Sequence, residues 1–472
     1  MKERLNALET SPARQSRRQL RASRNILASL DRSRTPTDSP HAEATTARLH
    51  RLGHDVLGPV FASFARLLLR AAERDGVTRL GFVARDGEFL QIVVQRLVDR
   101  LAIPSPPHLD YIHLSRISTI LSGYRTFSEA VEGEAEGFFG ARTSDTEAFL
   151  RYFGLEPSRF TFLLENHGLT TRTPVPSAAD VRPLLDDAIF RDCVAAEAAA
   201  QKEMLRRYLE QKTALLHDAR FALVDLGWRA SIQIALARGF VDCLPNGRLR
   251  GYYFGYWDDR RAALPPSCEV SGVITDIRRR RTPVEGSAFY AAYILESICR
   301  APHGTVLGYE SDGTGQVVPS LAGESPQRSV EVLGERSREP IRRGILQYID
   351  GEAERYRHAD DDFVRANAQK KLFRLAFFPT RSEIDAVNEL AHTEGHAPQW
   401  SRTLIDARRP SPFLSPRRWI AGLASPWRSG YIKATGGTLL ALAFTLTELV
   451  FLAFPSVRRT MRVVALRFAR WV

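Results

Sequence analysis

Apolar positions along this chain follow two alternating rhythms. The run LGPVFASFARLLLRAAERDG (57–76) repeats them every three or four residues and stops at Gly76, which predicts an amphipathic helix. RLGFVA (79–84) is a short β-prone run, RDG is a tight turn, and EFLQIVVQRLVDRL (88–101) returns to helical spacing. After a proline-rich link, DYIHLSR (110–116) predicts a second strand. Strand, glycine turn, helix, strand is the βαβ unit of a parallel sheet.

Residues 117–216 are mainly helical in pattern, and Asp186–Leu216 is Ala-rich and nearly free of breakers, so an inserted helical subdomain is expected. The strand rhythm then resumes. RFALVD (220–225) is a strand, LGWRAS a turn, IQIALARGF a helix, LRGYYFG (249–255) a strand, and EVSGVIT (269–275) an edge strand. The predicted architecture is α/β: a mainly parallel sheet flanked by helices, its core drawn from 46–116 and 217–320. A polar helical region (321–415) and a basic, apolar segment (416–472) follow. Residues 1–45, rich in Arg, Ser, Thr and Pro, are expected as a mobile basic tail with one short helix near Leu20–Leu30.

Composition changes this picture in four places. With 44% apolar and 25% charged residues, the chain is an ordinary globular protein rather than a disordered one. Its four cysteines, Cys193, Cys243, Cys268 and Cys299, lie outside metal-ligand spacing, which fits reduced thiols of an intracellular protein. No apolar stretch of signal-peptide kind opens the sequence, so secretion is not expected. The net charge of +12 invites a nucleic-acid reading, but residues 408–472 carry +10 and residues 1–34 carry +6, leaving an acidic body. Basic ends beside apolar sequence suit an anionic membrane surface better than a nucleic acid.

Chemistry is expected where the two strands end. Ligands of an open parallel sheet bind beyond the carboxyl ends of its strands, where the next helices point their N-termini. Arg85-Asp86-Gly87 and Asp225-Leu226-Gly227-Trp228-Arg229-Ala230-Ser231 both stand there. Arg85 can grip an anion with two N–H groups. Asp225 can orient a sugar hydroxyl or hold Mg²⁺, and Ser231 can cap its helix or meet a phosphate oxygen. Asp225, Arg85 and Asp86 are the candidate catalytic residues; Gly87, Arg116, Gly227, Trp228, Ser231 and Glu296 are the candidates for binding substrate or phosphate. Arg116 either points into the same cleft or forms a salt bridge at the sheet edge. Glu296 is an inward carboxylate or an exposed one, His113 a packed core histidine, and Arg278–Arg281 a solvated turn or a phosphate collector. GxSxG, Walker, HExxH and GxGxxG motifs are all absent.

The blocks GPVFASFARLLLRAAERDGVTRLGFVARDGEFL, YIHLSR, FALVDLGWRASIQ, LRGYYFG and YILESICRAPHGTVLGY, over about 50–435, resemble one family. It is the C-terminal region of the large bacterial haloacid-dehalogenase-like proteins of capsule and O-antigen clusters. The resemblance implies a role in surface-polysaccharide biosynthesis, with glycosyltransferases as partners and a phosphorylated or nucleotide-activated sugar as ligand. Those proteins carry an upstream hydrolase domain with a strand-end DxD. Neither VARDGEF nor LVDLGWR supplies that second carboxylate, so hydrolase chemistry of this type is not expected. The α/β pieces also resemble a phosphoribosyltransferase-type sheet, which implies a pyrophosphate loop at Arg85–Gly87 and a ribose-phosphate loop at Asp225–Ser231. A non-catalytic scaffold recruiting glycosyltransferases to the inner membrane is the alternative.

TLLALAFTLTELVFLAF (438–454) is apolar apart from threonines and Glu448. Its 17 residues reach the lower limit for a membrane span. Thr438, Thr445 and Glu448 recur at helical spacing, so a helix lying in the membrane interface is expected, with a buried closing helix as the alternative. Trp419, Trp427 and Trp471 are expected at headgroup level.

Overall fold

The structure, a computed structural model, describes residues 40–139, 145–257, 264–280, 282–323, 326–393, 401–403, 425 and 427–453. Five parallel strands form one sheet: β1 (Arg79–Val83), β2 (His108–Ile112), β3 (Phe221–Asp225), β4 (Leu249–Tyr256) and β5 (Cys268–Asp276). Their spatial order is β2-β1-β3-β4-β5. Arg79 is in register with His108 on one side and Phe221 on the other.

Side chains alternate across a strand, and both faces of this sheet are dry. Leu80, Phe82, Ala222, Val224, Tyr252 and Phe254 enter one core, while Val83, Ile112, Phe221, Leu223 and Leu249 enter another. The first core is covered by α1 (Pro40–Arg51), a π-helical turn (Leu52–Leu57), α2 (Gly58–Arg74) and α3 (Gly87–Leu101). The expected tail therefore gives way to helix at Pro40, well before Leu57, because Leu49, Leu52 and Val56 have a core to enter. The predicted short helix near 20–30 lies outside the described residues.

Among the described residues six α-helices separate β2 from β3: α4 (Arg116–Thr119), α5 (Phe127–Phe139), α6 (Thr146–Tyr152), α7 (Thr161–Asn166), α8 (Arg182–Asp186) and α9 (Ala188–Lys212). They gather a core of their own around Phe127, Phe149, Phe153, Phe160 and Phe190, whose rings meet edge to face. β3 is followed by α10 (Ser231–Gly239), which lies on the face opposite α3. After β5 come α11 (Ser287–Tyr290), α12 (Ala292–Cys299), a hairpin of β6 (Val306–Ser311) and β7 (Val317–Leu321), then α13 (Pro326–Glu352), α14 (Asp361–Phe377) and α15 (Arg381–Asn388). A two-stranded pair, β8 (Ala391–Thr393) with β9 (Ser401–Thr403), precedes α16 (Arg428–Ala453).

Two predicted boundaries move. β2 stops at Ile112 rather than reaching Arg116: the His113 amide donates to Tyr208 Oη at 2.9 Å, and Leu114 N turns back to Ile112 O. The β6–β7 hairpin was not foreseen, since Gly308, Pro319 and scattered polar residues hide its alternation. α13 and α14 look polar in sequence, yet Ile341, Ile345 and Ile349 of α13 and Leu372 and Leu375 of α14 enter the first core.

α13 approaches α1 closely. A Cβ on Gly344 would fall 2.3 Å from His50 O, and one on Gly53 only 2.1 Å from Ile341 O. Gly344→Ala is expected to cost about 2–3 kcal/mol in urea denaturation through forced separation of the two helices; wild-type stability would contradict this contact.

α16 is not one rod. Gly437 (φ 78°) interrupts it, and Arg428 Nη1 meets Glu448 Oε1 at 3.3 Å. In a straight helix those residues would stand about 30 Å apart, at 1.5 Å per residue, so the chain doubles back at Gly437. Trp427 is buried and donates to Ala376 O at 3.0 Å; it anchors the helix and does not sit at a headgroup level. Trp419, Trp471 and the side chain of Thr438 lie outside the described residues. Among the described residues one helical run, Ala42–Arg74, is long and apolar enough to cross a membrane, and 89% of its apolar 18-residue window is buried inside the protein.

Candidate functional site

Strand order places a switch point between β1 and β3. The helix leaving β1 turns to one face of the sheet, and the helix leaving β3 turns to the other, so a crevice opens between the two strand ends. Arg85–Gly87 and Asp225–Ser231 are the two lips of that crevice. Both contain a cis peptide bond, Ala84–Arg85 and Gly227–Trp228.

Glycine serves packing in both lips. A Cβ on Gly87 would strike the Phe82 carbonyl carbon at 2.8 Å, and one on Gly227 would meet Gly255 O at 2.6 Å. Gly227 also holds φ 151°, where a side chain is strained. These two residues let α3 and the β3 loop seat tightly on the strands; their lost Cβ atoms face protein.

Three carboxylates come into electrostatic reach of one another. Asp225 ends β3, and its Oδ1 accepts the Leu226 amide at 2.8 Å. Burial first, then the charges of Asp86 and Glu296, push its carboxyl well above the usual carboxylate range. Asp225 therefore holds its proton to higher pH than an ordinary aspartate. Glu296, on α12, accepts the Trp228 indole N–H at 2.7 Å. Trp228 lies half-buried over Gly255, edge-on to Phe289, which in turn meets Trp257. The crevice thus has an acidic floor and an aromatic wall.

Cys299 lies buried next to this floor; burial, then Asp86, raises its thiol well above its ordinary range, so it is no thiolate. Ala301 N donates to Arg85 O, and Arg342 donates to the carbonyls of Ile298 (2.8 Å) and Arg300 (2.6 Å). These bonds clamp the end of α12 against the β1 loop.

On the β2 side stands a pair that sequence reasoning missed. His303 Nδ1 faces Gly304 O at 2.8 Å, and a carbonyl can only accept, so Nδ1 carries the hydrogen. In the neutral ring Nε2 is then the acceptor, and the Tyr111 hydroxyl donates to it at 2.6 Å. Burial, then Glu88 and Asp86, raise the Tyr111 pKa, while Arg85 works the other way. Tyr111 therefore keeps its proton as a donor. His113 packs edge-on to Tyr111 and beside His303, and burial and His303 lower its pKa. His303 sits in the loop after α12, far from β2 in sequence, and no local motif announced it.

Arg116 opens α4 behind the Ser115 cap. Burial opposes its charge, yet Tyr152 and Glu134 of the inserted helices, with Glu296 of the core, hold its pKa above the ordinary value. It enters the crevice side rather than the sheet edge, and joins insert to core. Beside it a cleft of about 300 Å³, counting its open mouth, is lined by Arg116, Thr119, Tyr124, Glu134, Ser231 and Arg238. Ser231 stands at the first turn of α10 in that cleft.

Arg278 is different: it binds Asp276 Oδ2 (2.5 Å) and Val270 O (2.7 Å) and stacks on Tyr256, which makes it a brace of the β5 end. Among the described residues no three His, Cys, Asp or Glu side chains are arranged to hold a metal ion.

The chain matches no protein-family model and no curated protein.

What the arrangement can do chemically follows from these groups. Asp225, its carboxyl raised by burial and by Asp86 and Glu296, can share a proton with a bound hydroxyl. Arg116, Arg238 and the first turn of α10 favour an anion a short distance away. Trp228 offers a flat apolar wall of the kind that carries a sugar ring or a base.

Proposed function

We propose that the crevice between β1 and β3 binds a phosphorylated or nucleotide-activated sugar, and that the protein acts on it in bacterial surface-polysaccharide assembly. One observation carries the reading: acid groups from two strand ends and from α12 meet at the switch point, with arginines of the neighbouring cleft next to them. Carboxylates take sugar hydroxyls, and guanidinium groups take the phosphate. As the acceptor oxygen bonds to the sugar carbon, Asp86 would take the proton of the attacking hydroxyl, Asp225 would orient that hydroxyl by a hydrogen bond, and Arg85 and Arg116 would steady the phosphate that leaves with the electron pair of the broken sugar–phosphate bond. The family resemblance of the sequence supplies the biological setting.

A scaffold that recruits glycosyltransferases at the inner membrane is the second reading. It is favoured by Glu296, which already uses one oxygen to hold Trp228 and so fits a pocket that binds without reacting.

Titration calorimetry with sugar 1-phosphates, nucleoside-diphosphate sugars and phosphoribosyl pyrophosphate tests the binding claim. Saturable binding by one class is expected, weakened at least about tenfold by Arg85→Ala, the loss of one charge-assisted contact. Failure of every class to bind would remove the reading. Chemistry is separated by product analysis: turnover of the bound sugar supports the enzyme, and tight binding without turnover supports the scaffold.

A further inference from the structure

The second half of α16 is built inside out. Thr445 is buried and donates to Phe377 O at 3.2 Å, and Glu448 turns back to pair with Arg428. Ala441 and Phe444 share this inward side. Leu439, Leu442 and Leu446, at spacings of three and four residues, are 84%, 46% and 54% exposed. Of the polar positions that recur at helical spacing, Thr445 and Glu448 turn toward the protein, and the leucine ridge faces out.

An aqueous surface would favour the opposite orientation, because each exposed leucine forgoes its transfer out of water. Charge identifies what the ridge meets. The segment 454–472, which follows directly, holds Arg458, Arg459, Arg462, Arg467 and Arg470 with no acidic residue. Upstream, Arg408, Arg409, Arg417 and Arg418 add to the same sign. An apolar ridge in a strongly basic setting matches the interface of an anionic bilayer, where leucines enter the acyl boundary and arginines meet lipid phosphates.

We infer that the leucine ridge of residues 439–446 is a membrane-docking surface for anionic lipid, held outward by a hairpin whose bend is Gly437. The helix lies on the bilayer and does not span it, since its other face is committed to α14 through Phe377. This inference is independent of the ligand proposed for the β1–β3 crevice.

Flotation of the full chain with vesicles tests it. The probes are phosphatidylglycerol mixed with phosphatidylcholine, and phosphatidylcholine alone. The protein is expected to float with the anionic vesicles and to remain behind with the neutral ones. Leu439→Gln, Leu442→Gln and Leu446→Gln combined should weaken vesicle binding at least tenfold, roughly the loss of three partly inserted leucines, while the unfolding temperature stays put because the three side chains support no core. Unchanged binding by the triple variant overturns the assignment, as does equal flotation with neutral vesicles. A concentration-dependent dimer that the triple variant abolishes, in a protein that floats with neither vesicle, would assign the ridge to a second copy and overturn it too. Leu→Met at the same three positions keeps the apolar surface and should preserve binding.

Discussion

Asp225→Asn is expected to raise the melting temperature by at least about 2 °C at pH 7.5, for a change that costs the crevice its acid. The direction follows from the raised carboxyl. Burial, Asp86 and Glu296 raise the carboxyl of Asp225 well above the ordinary range in the folded protein, whereas an unfolded chain releases that proton near the ordinary aspartate value of about 3.9. Between the two values the native state binds more protons than the unfolded one. Stability contributed at low pH is therefore lost progressively as pH rises from about 4 toward the folded value. Asparagine keeps an oxygen for the Leu226 amide and never ionises, so its advantage should be small at pH 4 and grow with pH. Differential scanning fluorimetry from pH 4 to pH 9 gives the comparison. A constant difference across that range, or a loss at high pH, would show that the three carboxylates do not act on one another. The same variant should lower any turnover in which the Asp225 carboxyl orients the attacking hydroxyl.

Arg116→Met should have the opposite effect. Its guanidinium is the positive centre facing Tyr152 and Glu134 in the insert and Glu296 in the core. Removing it strands partly buried negative charge, which costs less than the upper part of the about 3–5 kcal/mol seen when a fully buried pair is broken. Glu134 keeps hydroxyl partners in Tyr124 and Tyr152, so part of the loss is softened, and about 3 kcal/mol is expected from urea denaturation. Limited proteolysis should cut first within the inserted helices, whose separate core then loses this tie. Arg116→Lys should recover a portion only, because one ammonium cannot reach partners on both sides. A methionine variant as stable as the parent would show that the contact is dispensable.

The parallel core was legible because both of its periods are strong and local. RLGFV and FALVD are continuous β-prone runs with helical spacing immediately after them, as both-face burial requires. The two strand ends could be named for the same reason: their turns interrupt two rhythms at once. What escaped was everything fixed by long-range contact. β2 was drawn too long because a hydroxyl 95 residues away captures the His113 amide. His303 and Cys299 reach the crevice only through the clamp of Arg342 and the Ala301–Arg85 bond, neither of which has a signature in spacing. The lips were expected to receive anions, yet the floor between them is acidic, since a strand-end aspartate shows its charge in the sequence but not its neighbours. For α16 the spacing showed a polar stripe and an apolar one and left an interfacial and a buried helix as alternatives. Periodicity reports that a helix has two sides and cannot say which one the rest of the protein takes.

The apolar run from Ala42 to Arg74 has a consequence for how this chain is made. The sheet and α3 cover one side of it, but the other side is covered by α13 and α14, residues 326–377, so that side leaves the ribosome more than two hundred residues ahead of its sheath. During that interval a greasy rod is open to chaperones, to membranes and to other nascent chains. A fragment that stops at the last strand would never acquire its wrapping. The N-terminal and C-terminal helices therefore have to be produced together, however separable the polar 326–388 region looks on paper.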